Sequence, residues 1–576
     1  MARRSSFSLP LPGRGLVSAW RDGYTLADLR QDLIAGLTIG IVAVPLSMAL
    51  AIATGVPPQH GLYTAIVAGA IIALTGGSRF NVSGPTAAFV VILFPIVASY
   101  GIGGLLIATL MAGLILIGLG LARLGSLIQF IPYPVILGFT AGIGTVIALL
   151  QVPDFLGLKD LSLGDSTLSN IALIGAALPR IDPVELSIGA ITLATLILWP
   201  RLKLPVPAPL VGLAVGTLAA LALTPMGLEV DTIASRFQWS SHGLEGNGIP
   251  PFAPSFALPW QLPGGDGAPL TVDFALIREL MGPAFAIAML AAIESLLCAV
   301  VADGMTRTRH DPNAELIGQG LGNIVVTFFG GITATAALAR TATNIRSGAR
   351  SPIASVVHAA VVLLAIVALA GILGLVPMAA LAALLFIIAW NMSEARHFVH
   401  TLKSAPGSDV AILVICFGLT VIFDMVLAVG VGMGLAAVLF IRRMALVTHT
   451  RRLDGETHND LAGLPSQVAA YAINGPLFFG AAEKAIASLR IVDKDVKVVM
   501  LDMRDVPSLD TTAIVALQTL LGELRDQRIG VIIIGISAPL YLKLHRAGLR
   551  RERGLLSRVE NTEHAKRLAR RWLAAS

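Results

Sequence analysis

Apolar runs of roughly 16–22 residues, long enough to cross the hydrocarbon core of a bilayer, follow one another from Leu33 to Ile441. The pattern predicts spans near 33–54, 60–75, 84–99, 103–122, 131–151, 184–199, 209–226, 283–302, 314–330, 335–349, 352–371, 377–393, 409–424 and 425–441, about fourteen helices in a polytopic α-helical membrane protein. The last boundary rests on Asp424 alone. Arg79, Arg123, Arg201 with Lys203, Arg307 with Arg309, Arg346 with Arg350, Arg396 with Lys403, and Arg442 with Arg443 fall in alternate loops. The loops between them, near 152–183 and 227–282, are longer and hold more Asp and Glu than Lys and Arg. Residues 1–32 are arginine-rich and read as a cytoplasmic N-terminal segment without a cleavable signal peptide. The positive-inside rule then places both termini in the cytoplasm, as an even number of spans also requires.

After Arg443 the pattern changes. Residues 444–464 read as a linker, with its polar part from Thr448 to Leu464, and residues 465–576 as a small cytoplasmic α/β domain. Val468–Ile473, Val496–Leu501 and Ile529–Ile536 are expected strands; Ala481–Ile491 and Thr511–Arg525 are expected helices.

Composition agrees. Of 576 residues, 55% are hydrophobic and 13% charged, with a mean hydropathy of +0.80, which excludes an ordinary soluble globular protein. Cys298 and Cys416 lie in apolar runs and are too few for a disulfide framework or a metal site, so they read as packing residues. The net charge of +6 is spread over loops and tail and forms no nucleic-acid patch; Arg442, Arg443, Arg451 and Arg452 mark a membrane boundary that can meet anionic lipid. No phosphate-binding loop or hydrolytic constellation is present, which argues against ATP-driven transport and enzyme catalysis; no cofactor is expected.

Two halves, near 33–226 and 283–441, repeat. An offset of 249 (304 − 55) brings Gly55 onto Gly304, Gly69 onto Gly318, and Thr86-Ala87-Ala88 onto Thr335-Ala336-Ala337. Seven spans per half is odd, so the second half is inverted, and interrupted helices at matching places then point to a transporter's binding site. Asn81-Val82-Ser83-Gly84-Pro85-Thr86 is a poor start for a full-length helix, although Pro85 suits a first turn. Gly331 to Thr335 is rich in β-branched residues that favour extended backbone. Both stretches are expected to form short strands leading into half-helices, whose free N–H groups and positive ends suit an anion. Arg340 adds a full charge in apolar surroundings, and Glu294 places an acid in another apolar run. A charge at membrane depth costs from about 2.5 to more than 10 kcal/mol and so faces a partner or a cavity.

The runs GGSRFNVSGPTAAFVVI (76–92), GNGIP (246–250), AAIESLLCAVVADGMT (291–306) and GGITATAALARTATNIRSGA (330–349) closely resemble the sulfate permease (SulP) family of anion transporters, and within it the bacterial C4-dicarboxylate carriers. The tail, through VVMLDMRDVPSLDTTAIVAL (498–517), resembles a STAS domain. The resemblance implies a core and a gate bundle, elevator-like movement of one against the other, a homodimer, and anion uptake coupled to protons or sodium or run as exchange. It implies that Ser83, Gly84, Thr86, Thr335, Ala336, Ala337 and Arg340 bind substrate and that Glu294 carries the coupling ion. The STAS signature residues are Asp510, Thr511 and Thr512, where the related antagonists carry Asp-Ser-Ser; a phospho-switch is left open, and a cytoplasmic protein partner is implied.

Bland readings stand beside these. Glu294 is either a coupling acid, a structural acid capped by a hydroxyl, or the salt-bridge partner of Arg340; Arg340 is either an anion ligand or a tie to a carbonyl. His358 is expected to be a satisfied packing histidine, Asp303 and Asp424 to sit at helix ends, Pro132, Pro134 and Pro377 to shape helix starts, and Thr511 and Thr512 to form a first turn. The expected function is proton-coupled uptake of C4-dicarboxylates (succinate, fumarate, aspartate) across the cell inner membrane. Sulfate or bicarbonate transport, an anion channel, and a membrane-anchored signalling protein are the rivals.

Overall fold

A computed structural model describes residues 11–128, 132–159, 161, 163–164, 166–204, 206–241, 243–265, 267–423, 425–453, 464–478, 482 and 495–575. Asp424, residues 454–463 of the expected linker, and the expected helix 481–491 except Ala482 lie outside the described residues. The chain divides into two units, Met1–Met433 and Gly434–Ser576.

The helices of the first unit are α1 (Arg14–Arg21), α2 (Leu26–Ala53), α3 (Pro58–Thr75), α4 (Ala87–Leu121), α5 (Gly125–Ile128), α6 (Tyr133–Leu156), α7 (Thr167–Ala177), α8 (Pro183–Leu198), α9 (Ala208–Leu223), α10 (Ile233–Arg236), α11 (Phe274–Thr306), α12 (Pro312–Thr327), α13 (Leu338–Arg346), α14 (Ile353–Gly374), α15 (Met378–Ser393), α16 (Ala395–Ser404), α17 (Gly407–Ile422) and α18 (Met425–Val447), which runs on into the second unit. Its strands are β1 (Ser83–Gly84), β2 (Gln238–Ser241), β3 (Leu244–Asn247) and β4 (Thr335–Ala336). Eight helices among the described residues are long and apolar enough to cross a membrane.

Local chemistry sets many helix starts. Pro58, Pro183 and Pro312 open α3, α8 and α12, where the missing N–H is no loss. Asp182, Asp273 and Asp311 cap α8, α11 and α12 through their carboxylates. Pro132 and Pro377 stand just before α6 and α15, and Pro134 lies in the first turn of α6, as expected. Gly101 breaks α4 into two spans with φ at 66°. A Cβ there would also lie 2.4 Å from the Gly264 carbonyl oxygen, so any side chain is excluded twice over.

Several boundaries differ from the sequence reading. α2 begins at Leu26, inside the supposed N-terminal segment, and α11 begins at Phe274, inside the supposed 227–282 loop. The 152–183 loop holds α7. The stretch 335–349 is not a full span: α13 has nine residues, about 13 Å of helix. Pro85 precedes the N-cap Thr86 rather than opening the helix. The polar character of 335–349 was averaged away by its apolar flanks.

The two halves are related by structure, though not by one offset. α4 packs on α11 and α12 as α14 packs on α2 and α3, while α6 meets its counterpart α15 and β1 pairs antiparallel with β4. The offset falls from 254 between Pro58 and Pro312 (312 − 58), through 252 at the strands (335 − 83), to 245 between Tyr133 and Met378 (378 − 133). Unequal loop lengths cause this drift, so Thr86 corresponds to Ala337, the other half-helix N-cap, and not to Thr335. α2, α3, α4 and α11 to α14 form one packing group; α6, α8, α9, α15 and α17 form another.

Some loop charges meet partners within the unit: Arg14 pairs with Asp311, Arg79 with Asp22, Arg350 N–H donates to Asp32 at 2.6 Å, and Arg236 pairs with Asp154 at 2.6 Å.

The second unit carries β5 (His449–Leu453), β6 (Val468–Asn474), β7 (Val498–Asp502), β8 (Gly530–Ile534) and β9 (Leu556–Val559), with helices α19 (Thr511–Asp526), α20 (Ala538–Arg546) and α21 (Thr562–Ala575). The strands order as β5-β6-β7-β8-β9, the first pair antiparallel and the rest parallel. Leu517, Leu520 and Leu524 of α19 cover one face of the sheet; Ala565 and Ala569 of α21 cover the other. The expected linker is therefore wrong at its start, because α18 runs to Val447 and 449–453 is a strand. An arginine-rich strand at a sheet edge carries too little hydrophobic signal to be read as one.

Candidate anion site

The site forms where the two interrupted segments cross. Ser83 and Gly84 of β1 pair with Ala336 and Thr335 of β4. Each strand leads within three residues into a helix, α4 after the N-cap Thr86 and α13 after the N-cap Ala337. Neither N-cap side chain accepts from its own first turn. Ala337 has no hydroxyl to offer, and Thr86 donates its hydroxyl to Glu294 Oε2 at 3.0 Å instead. Two uncapped helix N-termini thus lie beside one two-stranded crossing, each equivalent to roughly half a positive charge.

Arg340, in the first turn of α13, reaches across to the first repeat. It is 4% exposed, and Nη2 donates to Pro85 O at 2.8 Å. Among the described residues its Nε and Nη1 have no hydrogen-bond partner. A guanidinium has five N–H donors, and leaving some unmet at depth is costly unless an anion takes them. The carbonyl tie considered for Arg340 exists, yet it uses only one corner of the fork. No Glu294–Arg340 ion pair forms among the described residues; Glu294, half-buried on α11, faces Thr86.

A Cβ on Gly84 would lie 2.5 Å from Arg340 Nη1. Gly84→Ala is therefore expected to push the guanidinium off the crossing and raise the anion KM at least several-fold, with the protein still folded. Uptake kinetics beside the melting temperature of the purified protein check this; unchanged KM would place the anion elsewhere.

The remaining expected residues hold the scaffold. Thr335, fully buried, bonds Ser295 Oγ at 2.7 Å and donates to Ala291 O at 3.2 Å, so its hydroxyl belongs to α11. Ser83 Oγ accepts from Gln319 Nε2 at 3.1 Å. Asp303 sits near the C-terminal end of α11 and accepts from His310, as expected for an end position. His358 departs from expectation: it is fully buried with its ring beside Gly69 of α3, and among the described residues neither ring nitrogen has a hydrogen-bond partner. Cys298 and Cys416 are free and buried. In the second unit Asp510 caps α19 by accepting from Ala513 N at 2.7 Å, which makes Thr511 and Thr512 its exposed first turn.

Sequence reasoning missed the polar side chains that satisfy the crossing segments. Glu315, Gln319, Asn323 and Thr327 recur every fourth residue along α12 and are all buried, a stripe on one helix face. Asn323 accepts from Ala334 N at 2.8 Å and donates to Ala334 O at 2.9 Å. Thr341 Oγ1 accepts from Val82 N at 3.0 Å, and Asn344 donates to Phe80 O at 2.9 Å. Such extended backbone is tolerated within a bilayer only when it is paired in this way. The four-residue period was the available signal.

These features match known proteins. The profile of the Sulfate permease family matches residues 29–416, and that of the STAS domain residues 464–565. The chain belongs to the sulfate permease family. "Putative sulfate transporter YvdB" of Bacillus subtilis (strain 168) is 40% identical over 92% of this chain and 95% of its own. Bicarbonate transporter BicA of Picosynechococcus sp. is 31% identical over 93% and 95%. The murine Slc26a9 anion transporter, in the inward-facing state, shares the fold with a TM-score of 0.80 at 20% identity over 95% and 93% of the chains. The transmembrane domain of a cyanobacterial BicA matches at 0.60 and 29% identity over 72% and 98%. The chain is thus a multi-pass membrane transporter with a C-terminal STAS domain, not an enzyme.

Proposed function

We propose that this protein is a secondary active carrier of small oxyanions, with sulfate or bicarbonate as cargo, working in the cell membrane with both termini cytoplasmic. The carrying observation is the pair of uncapped half-helix N-termini beside Arg340, whose Nε and Nη1 are unpartnered. Support for inorganic cargo comes from the names of the similar proteins, which are those of sulfate and bicarbonate transporters. C4-dicarboxylate uptake, favoured on motif resemblance alone, stands second; a carboxylate suits the same donors. Glu294 is the proposed coupling group, for a proton or sodium, because it is bonded to the N-cap of one half-helix. Movement of the group containing α2–α4 and α11–α14 against the other helices, in a homodimer, would carry the loaded site across. The STAS domain supports folding, targeting or a cytoplasmic partner.

Uptake of labelled sulfate, bicarbonate and succinate into proteoliposomes under imposed proton and sodium gradients tests the reading. No uptake of any of the three would overturn it, and uptake without a gradient requirement would favour a channel. Ending the chain after residue 447 removes the whole sheet, β5 included, and is expected to leave a folded membrane unit that still binds the anion. Loss of all binding by that folded unit would refute the division of labour.

A further inference from the structure

α1 is amphipathic in a way that its packing within the first unit does not use up. Eight residues are too few to hold a helix in water by themselves, and ties to the end of α3 hold this one. Gly13 N–H donates to Thr75 O at 2.6 Å and Gly15 N–H to Gly76 O at 3.1 Å. Arg79 Nε donates to Ser18 Oγ at 2.8 Å, and ion pairs join Arg79 to Asp22 and Arg14 to Asp311. A Cβ on Gly15 would clash with Ser78 O, so a side chain there would push the helix off its seat. Gly15 and Ala19 are the buried positions of α1.

At about 100° per residue, Leu16, Trp20 and Val17 fall on one arc beyond that buried edge, followed by Arg21 and Arg14. Trp20 is 60% exposed, and Val17 is exposed with it. An apolar arc that holds a tryptophan and is bordered by arginines suits a helix lying in the plane of a membrane interface, with the indole at headgroup level. α2 carries a matching signal. Its Leu26, Leu33, Ile34 and Leu37 are all exposed, and their spacing puts them on one helix face. That stripe covers about 16 Å of helix, which favours lipid over a protein partner as its cover. It extends to Leu26, the first residue of α2, and α1 ends five residues earlier (26 − 21). We propose that α1 is an interfacial anchor, its Leu16, Val17 and Trp20 seated in the headgroup–acyl boundary of the bilayer where α2 begins, with Arg21 among the lipid headgroups. Every polar tie named above ends on α3, the segment after it, or the N-cap of α12. The anchor therefore sets the depth of that packing group rather than of the group around α6 and α15.

The test places a bimane label at Trp20→Cys, and separately at Val17→Cys, in the full-length protein, whose own Cys298 and Cys416 are buried. Labelled protein is reconstituted in vesicles of phosphatidylcholine and phosphatidylglycerol with iodide on both sides. Leu37→Cys, on the exposed face of α2, and Thr512→Cys, in the exposed first turn of α19, serve as lipid and water references. Label at either α1 position is expected to be quenched by lipids brominated near the glycerol end of the acyl chain. Iodide quenching there should fall at least about fivefold below the Thr512→Cys level, as for side chains about 5–10 Å into the interface. Label at Leu37→Cys should answer best to bromines deeper in the chain. Iodide quenching at the Thr512→Cys level, without quenching by bromolipid, would overturn the anchor by leaving α1 in water. Shielding from both quenchers would overturn it as well, since a protein surface would then cover the arc. Both variants replace exposed side chains, and either one alone decides the matter if the other fails to fold.

Discussion

Arg340→Ala leaves a folded transporter whose anion KM rises by roughly ten- to a hundredfold, the range for losing a charge-assisted hydrogen bond in a buried site. The guanidinium is buried, spends one N–H on Pro85 O, and keeps Nε and Nη1 unpartnered. Its removal takes away positive potential between the two half-helix N-termini and costs the scaffold one bond. Folding is expected to survive, since a buried charge with unmet donors does not itself stabilise. Arg340→Lys should recover part of the affinity, because a point charge remains while the planar fork is lost. Saturation kinetics in proteoliposomes and the melting temperature of the purified protein are the two readouts. Wild-type KM in a well-folded Arg340→Ala protein would rule out the assigned role.

Glu294→Gln is expected to bind anion with near-normal affinity yet lose accumulation against a gradient. Thr86 donates to Glu294 Oε2 at 3.0 Å, and a glutamine can offer its carbonyl oxygen to the same hydroxyl. The N-cap of α4 then keeps its place, while the group that gains and loses a charge is gone. Downhill exchange of labelled for unlabelled substrate should persist. Accumulation of sulfate or succinate is measured in wild type and variant with the same imposed proton or sodium gradient and fixed internal pH. Undiminished uphill transport in the variant would move the coupling role to another group, and His358, buried with both ring nitrogens unpartnered, is the next candidate.

The two strands and the half-helices were legible because their signals are local. Gly and Pro punctuation around Ser83-Gly84-Pro85, and β-branched Ile332, Thr333 and Thr335, disfavour helix whatever surrounds them. The α18–β5 boundary was not legible, since strand His449–Leu453 is defined by pairing with β6 and its own residues are mostly polar. The repeat was visible but its alignment was not: small residues match at many offsets, and loops of unequal length moved the true correspondence from Thr86–Thr335 to Thr86–Ala337.

By itself the sequence determined the solvent of this protein. Apolar runs of bilayer length with charges confined to alternate loops can satisfy their backbone only as membrane helices, whatever their neighbours. It also placed charges inside those runs, Glu294 and Arg340 among them. Tertiary structure decided whom they meet. Arg340 faces the carbonyl of Pro85, 255 residues away, and Glu294 faces Thr86, 208 residues away. The Glu315 carboxylate gathers donors from the segment after α3 and from its own helix. Hydrogen bonds act over about 3 Å, so their partners are set by how the two repeats cross, and no periodicity along one helix records that crossing.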